Sequence, residues 1–253
     1  MNPAADRVDL KSVAGPDHRN EVNEVSIAED HGGNTEGTAV RDHQHSVETG
    51  RAGDTRPAYS SLAGSYEQRT LAYQQWRRRL VGLLPVHAGD VVLDVGCGTG
   101  LCFPLLQTKI GPAGRVIGID ESQDMLRIAR SHVDDNAWGN VTLITAPAHS
   151  GTIPVTADAG LFSAVHDILQ SQRALDNVFA HLRPGAWVAA GGGKWSRAGI
   201  VPLDPFTRAI HEPYVRSFAG FDRPWRLLEP LLDDLKVTEV AFGAGYLAVG
   251  RVR

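Results

Sequence analysis

The chain has 253 residues, 42% of them hydrophobic and 21% charged, enough apolar material for one large domain or two small ones at about 100–200 residues each. Its net charge of −4 is unevenly spread: residues 1–56 hold eleven acids and six bases, and the remainder stands near neutrality at +1. A near-neutral body argues against a nucleic-acid partner, which selects for a basic patch.

Residues 1–56 are expected to form a disordered acidic tail, followed by one domain over 57–253. The first aromatic residue is Tyr59, and a segment rich in acids, Gly, His, Asn and Ser buries too little apolar surface to offset chain entropy. His18, His31, His43 and His45 lie there without a repeated ligand spacing and are read as solvated. "MNPAADRVDL" lacks the apolar core of a signal peptide, and no stretch approaches the roughly 18 apolar residues of a membrane span. A cytoplasmic protein without a membrane span is expected.

"YEQRTLAYQQWRRRLVGLL" places Tyr73, Trp76, Leu80, Leu83 and Leu84 at helical spacing, with Arg77, Arg78 and Arg79 largely on the wet side. Strands and helices then alternate. "VVLDV", "GRVIGID", "NVTLIT", "DAGLFSAV" and "RPGAWVAAGGG" read as strands, with helices after the first glycine turn, over "SQDMLRIARSHV" and over "SQRALDNVFAHL". "KVTEVAF" and "GYLAVGRV", joined by the tight "GAG", read as a closing hairpin. The pattern predicts an α/β, Rossmann-like fold: a seven-stranded, mostly parallel sheet with an antiparallel last strand and helices on both faces. Residues 195–235 break the alternation with five prolines and several aromatics. They are expected to form an insertion or lid over a substrate pocket, with short helices near 205–217 and 224–235.

The stretch "VVLDVGCGTG" carries the chemistry. A phosphate-binding P-loop needs G-x-x-x-x-G-K-[ST], and this turn has no lysine. The later "VAAGGGKWS" has Val188 where the first glycine belongs and Trp195 where Ser or Thr should stand. The dinucleotide fingerprint G-x-G-x-x-G fails at Leu101; the glycines run G-x-G-x-G at Gly96, Gly98 and Gly100, with Asp94 two residues before the first. This spacing suits a ligand without a pyrophosphate, approached closely by backbone. Cys97 and Cys102, a C-x4-C pair without further ligands, make a poor zinc site. They are read as reduced structural thiols, and no metal is expected.

Taken with the second strand and helix, these residues resemble the first two motifs of the class I S-adenosylmethionine-dependent methyltransferases. "GRVIGIDESQDML" is similar to the second motif, a strand ending in an acid and a helix opening with Ser-x-x-Met-Leu. The resemblance covers residues 60–253 and implies S-adenosyl-L-methionine as cofactor. It implies Asp94, Gly96, Cys97, Gly98 and Gly100 around the amino-acid portion and Asp120 on the ribose hydroxyls. It further implies Met125, Pro147 and Ala148 beside the adenine, and Ser163 at the end of the fourth strand. In the family an acid follows the third strand; here Ala146, Pro147 and Ala148 fill that region.

Methyl transfer from a sulfonium is accelerated chiefly by positioning, and a base is needed when the acceptor is a poorly ionised hydroxyl. His166, just past the fourth strand, is the candidate base; His149 and His211 are further candidates. Phe206, Tyr214, Phe218, Phe221 and Trp225 in the insertion point to a small apolar or aromatic acceptor, methylated at oxygen, nitrogen or carbon. Alternatives are a macromolecule methyltransferase, or an S-adenosylmethionine-binding protein with lost or altered chemistry. A monomer or homodimer is expected.

Overall fold

The computed structural model describes residues 71–196 and 203–253; the expected tail of residues 1–56 lies outside them. The elements are α1 (Gln74–Leu83), β1 (Val91–Val95), α2 (Phe103–Ile110), β2 (Arg115–Asp120), α3 (Gln123–Asp135), β3 (Val141–Thr145) and β4 (Ala157–Ser163). They continue with α4 (His166–Leu169), α5 (Gln172–Phe179), β5 (Leu182–Gly193), α6 (Asp204–His211), β6 (Leu232–Val240) and β7 (Gly245–Val252).

The seven strands form one sheet in the order β3-β2-β1-β4-β5-β7-β6. β1 pairs in parallel with β2 and β4, and β4 with β5. β7 runs antiparallel between β5 and β6, as the "GAG" hairpin predicts. β1 occupies the switch point, where chain order reverses and a crevice opens beyond the carboxyl ends of the strands. Both sheet faces are covered, which is why the central strands are almost continuously apolar. Val92, Val116 and Leu161 pack against α1, α2 and α3 on one face. Leu93, Val95, Ile117 and Phe162 meet Ala174, Leu175 and Val178 of α5 on the other.

Helix starts follow local chemistry. Ser122 Oγ accepts the Met125 N–H at 3.3 Å and Ser171 Oγ the Ala174 N–H at 3.3 Å, so each side chain satisfies a donor that α3 and α5 leave open. Met125, Leu126, Ala129 and Val133 of α3 are buried at helical spacing.

The insertion differs from expectation. α6 ends at His211 and passes into a 3₁₀ turn, Glu212–Tyr214, because Pro213 lacks the N–H that would extend the ladder. No helix spans 224–235: Pro224 and Pro230 confine it to a 3₁₀ turn, Arg226–Leu228, and β6 begins at Leu232. Arg77 also departs from the wet face assigned to it: it is buried, whereas Arg78 and Arg79 are exposed.

Asn140 ties the far edge together. Its Nδ2 donates to Gln107 Oε1 at 3.0 Å, Gly111 O at 3.2 Å and Gly114 O at 2.8 Å, and its Oδ1 accepts from Gln107 Nε2 at 2.8 Å. Leaving such groups unpaired costs about 1–3 kcal/mol. Asn140→Ala is therefore expected to lower the melting temperature by about 2–4 °C per kcal/mol lost, measured by differential scanning fluorimetry.

Candidate functional site

The turn after β1 is shaped by three left-handed glycines that do different work. Gly96 (φ +67°) and Gly100 (φ +80°) are packed: a Cβ on Gly96 would lie 2.5 Å from Val165 Cγ1, and one on Gly100 2.6 Å from the Phe103 ring. Gly98 (φ +55°) faces open space, with nothing within 4 Å of such a Cβ. The first and last glycines build the turn, and the middle one leaves room beside it. Gly96 and Cys97 N–H both donate to Ile119 O, at 2.8 and 3.1 Å, which holds the turn against the end of β2.

Two carboxylates flank it. Asp120 Oδ2 accepts the Gly98 N–H at 2.9 Å, and Oδ1 accepts the Ser122 N–H at 2.9 Å. Burial pushes its carboxyl above the usual range, while these two N–H groups pull it back. Asp94 is buried behind the turn, and its Oδ2 is buried without a hydrogen-bond partner. Burial, then the charge of Asp120, pushes Asp94 up to about 7, against the pull of the Arg77 guanidinium.

A chamber of about 430 Å³ opens at the carboxyl ends of β1, β2 and β4, within the volume range of small-molecule sites. Of the residues singled out in the sequence, Gly96, Gly98, Asp120, Met125, Pro147, Ala148, Ser163, His149, His166 and His211 line it. Asp94, Cys97 and Gly100 do not: Asp94 lies behind the turn, and Cys97 and Gly100 are parts of the turn that do not face the chamber. Cys97 and Cys102 are buried free thiols, raised well out of the reactive range by burial. Ala148 O and Gly151 O accept from Asn177 Nδ2 at 2.9 and 3.0 Å, so α5 fixes the segment after β3.

The insertion closes over this chamber rather than only beside it. Pro213, Tyr214, Val215 and Arg216 line it. Arg216 N–H donates to Asp167 Oδ2 at 2.9 Å, and its guanidinium meets Glu121 Oε1 at 2.5 Å. A second chamber of about 280 Å³, lined mainly by apolar side chains, adjoins the first. Both touch Tyr73, Arg77, Ser163, Gly192, Gly193 and His211.

Three aromatic side chains at this wall are tied by hydrogen bonds. His166 Nε2 lies 3.0 Å from Ala219 O and must carry the proton there, since a carbonyl only accepts; Nδ1 is buried without a partner. His211 Nδ1 donates to Thr207 O at 2.8 Å by the same logic, so Nε2 accepts the Tyr73 hydroxyl at 3.0 Å. Burial lowers both imidazoles from their ordinary value, which keeps them neutral at neutral pH. The His166 and His211 rings flank Phe221 at 4.9 and 5.4 Å. The Tyr73–His211 pair spans 138 residues and has no local sequence signal.

Residues 92–185 match the family model of a methyltransferase domain. In this matched segment and in its fold the chain is similar to the class I S-adenosylmethionine-dependent methyltransferases. A demethylmenaquinone methyltransferase of Symbiobacterium thermophilum is 28% identical over 186 residues, 70% of this chain and 68% of that protein. One from Listeria welshimeri is 36% identical over 121 residues, 46% of this chain; the match spans only 50% of that relative's length. A methyltransferase structure from Aquifex aeolicus shares the fold, with TM-score 0.55 and 19% identity, covering 77% of this chain and 98% of that one. Among the described residues, no helix is long and apolar enough to cross a membrane.

The buried Asp94 makes stability depend on pH. A carboxyl held at about 7 in the folded chain, above its ordinary 3.8, contributes most below the unfolded value and loses that contribution as pH rises. Asp94→Asn removes the titration. The melting temperature of the variant relative to wild type is expected to climb by several degrees between pH 4 and pH 8, at about 2–4 °C per kcal/mol. A difference independent of pH in scanning fluorimetry would contradict this placement of the charge.

Proposed function

We propose that the protein transfers a methyl group from S-adenosylmethionine to a small, apolar or aromatic acceptor, with the cofactor in the first chamber. The observation that carries this reading is the open space over Gly98, with Asp120 beside it and Asp94, one oxygen buried without a partner, behind it. Acceptor-only carboxylates suit the hydroxyl and ammonium donors of such a ligand, and a buried carboxylate near another favours a cationic one. In this reading Gly96, Gly98 and Ser163 face the amino-acid end, Asp120 accepts from the ribose hydroxyls, and Met125, Pro147 and Ala148 bracket the adenine. Asp94, Cys97 and Gly100 act from behind by holding the turn and its field. No acid follows β3, so adenine is held here by shape and backbone.

When bound, the cofactor supplies a methyl group on a cationic sulfur that departs as a neutral thioether. The protein's part is to align the two ligands and exclude water, which the Arg216 clasp to Asp167 and Glu121 serves. His166 is assigned a positioning role: its Nε2 is spent on Ala219 and its Nδ1 is buried, so neither nitrogen faces an acceptor. Support for a small acceptor comes from the apolar second chamber and from the demethylmenaquinone methyltransferases among the relatives. The near-neutral body supports a reading without nucleic acid, as a cytoplasmic monomer or homodimer.

Isothermal titration calorimetry tests the cofactor assignment. S-adenosylhomocysteine is expected to bind the wild-type chain at micromolar concentration. Asp120→Ala should weaken it by about 10- to 100-fold, the worth of hydrogen bonds to a charged group; unchanged affinity would remove Asp120 from the site.

A further inference from the structure

The two chambers meet where β5 ends in three glycines. A Cβ on Gly192 would reach nothing nearer than Ala164 Cα at 3.6 Å, and one on Gly193 would run into His211 Nε2. Bare backbone therefore leaves the passage open and lets the imidazole sit against it. His166 lines only the first chamber, whereas Tyr73 and His211 line both. At this inner end the second chamber holds its polar groups, Tyr73, His211, Arg77, Ser163 and Thr207. Toward its outer end the walls are apolar, including Phe206, 68% exposed, and Phe242, 96% exposed. Phe242 and Ala241 are both held at left-handed φ, 54° and 52°, strain of the kind that collects at ligand-binding edges.

We propose that the second chamber takes the methyl acceptor as an apolar molecule bearing an ionisable hydroxyl, a phenol or enol, whose proton is removed by the Tyr73–His211 pair. This rests on the methyl-transfer reading above. The acceptor O–H bond breaks with its electron pair left on oxygen. Tyr73 Oη takes that proton and passes its own to His211 Nε2, and the resulting imidazolium stays fixed by Nδ1–H to Thr207 O. The Arg77 cation, lining both chambers, faces the oxyanion that remains. Tyr73 is the catalytic residue; His211 acts through it and is a positioning and relay residue. Around His211 the titratable and charged groups are Tyr73, His166 across Phe221, Arg77 and Tyr246 on the shared wall, Arg208 on its own helix, and Glu212 at the start of the following 3₁₀ turn, 3.6 Å from Arg208.

4-Nitrophenol tests this without turnover, because its phenolate absorbs visible light. Calorimetry on the full chain is expected to show binding to wild type and at least tenfold weaker binding to Ala244→Trp, which fills the second chamber. The bound probe is expected to ionise at lower pH than the free one in wild type. In Tyr73→Phe and in His211→Asn it should ionise at higher pH, an approximately tenfold or greater loss of phenolate at fixed pH. Absence of binding to wild type, equal binding to Ala244→Trp, or the same ionisation in wild type and both pair variants would each overturn the proposal. An ionisation that moves with His166→Asn instead of the pair variants would overturn it too. S-adenosylhomocysteine titrated into the same protein reads the cofactor assignment separately, so failure of one leaves the other standing or fallen on its own data.

Discussion

The site depends on one carboxylate with two backbone partners. Asp120 ends β2, caps the approach to α3 through the Ser122 N–H, and reaches sideways to the Gly98 N–H in the turn after β1. Together with the Gly96 and Cys97 N–H bonds to Ile119 O, this ties β1 and β2 together at their carboxyl ends. An ionised carboxylate offers about four lone-pair sites, and two N–H groups use half of them. Asp120 also lines the first chamber. In the proposed reading the remaining sites meet the donors of the cofactor, and binding adds partners rather than replacing them.

A second constraint is electrostatic. The charge of Asp120 opposes the ionisation of Asp94 in a region where burial already penalises charge, and Arg77 offsets only part of this. Breaking or leaving buried charge uncompensated is expensive. The fold carries that expense at the one crevice its topology provides, a pattern typical of sites whose strain is relieved on binding. A ligand with a cationic sulfur and an ammonium group is the complement that such a field favours. The anionic phosphates of a dinucleotide or a triphosphate would worsen it.

Much of this was legible in the residues. β1 falls on "VVLDV" because a short apolar run bounded by Gly has few other options, and Ser122 and Ser171 announce α3 and α5 as caps. What escaped has physical reasons. Arg77 was assigned to the wet face with its two arginine neighbours. Yet Tyr73, Arg77, Leu80 and Leu84 follow one helical stripe, and apolar periodicity alone discounts a charge on that stripe. The contact of Tyr73 with His211 is a product of tertiary packing. The helix expected over 224–235 failed because proline spacing outweighed the run of leucines between them.

The end of β5 shows how a strand can be weakened for function and held elsewhere. Three consecutive glycines forfeit side-chain packing and add chain entropy, and the same missing side chains connect the two chambers. The next residue restores the order. Lys194 is buried, donates to Trp195 O at 2.6 Å and Gly243 O at 3.1 Å, and pairs with Glu239 at 3.5 Å. The lysine that superficially completes a phosphate-loop pattern in "VAAGGGKWS" is thus committed to the β6–β7 hairpin. With the hairpin clamped, the bare backbone of Gly191–Gly193 keeps its place against β7. The passage it leaves is then a fixed feature of the sheet, and His211 and Tyr73 are positioned by the absence of side chains as much as by their own bonds.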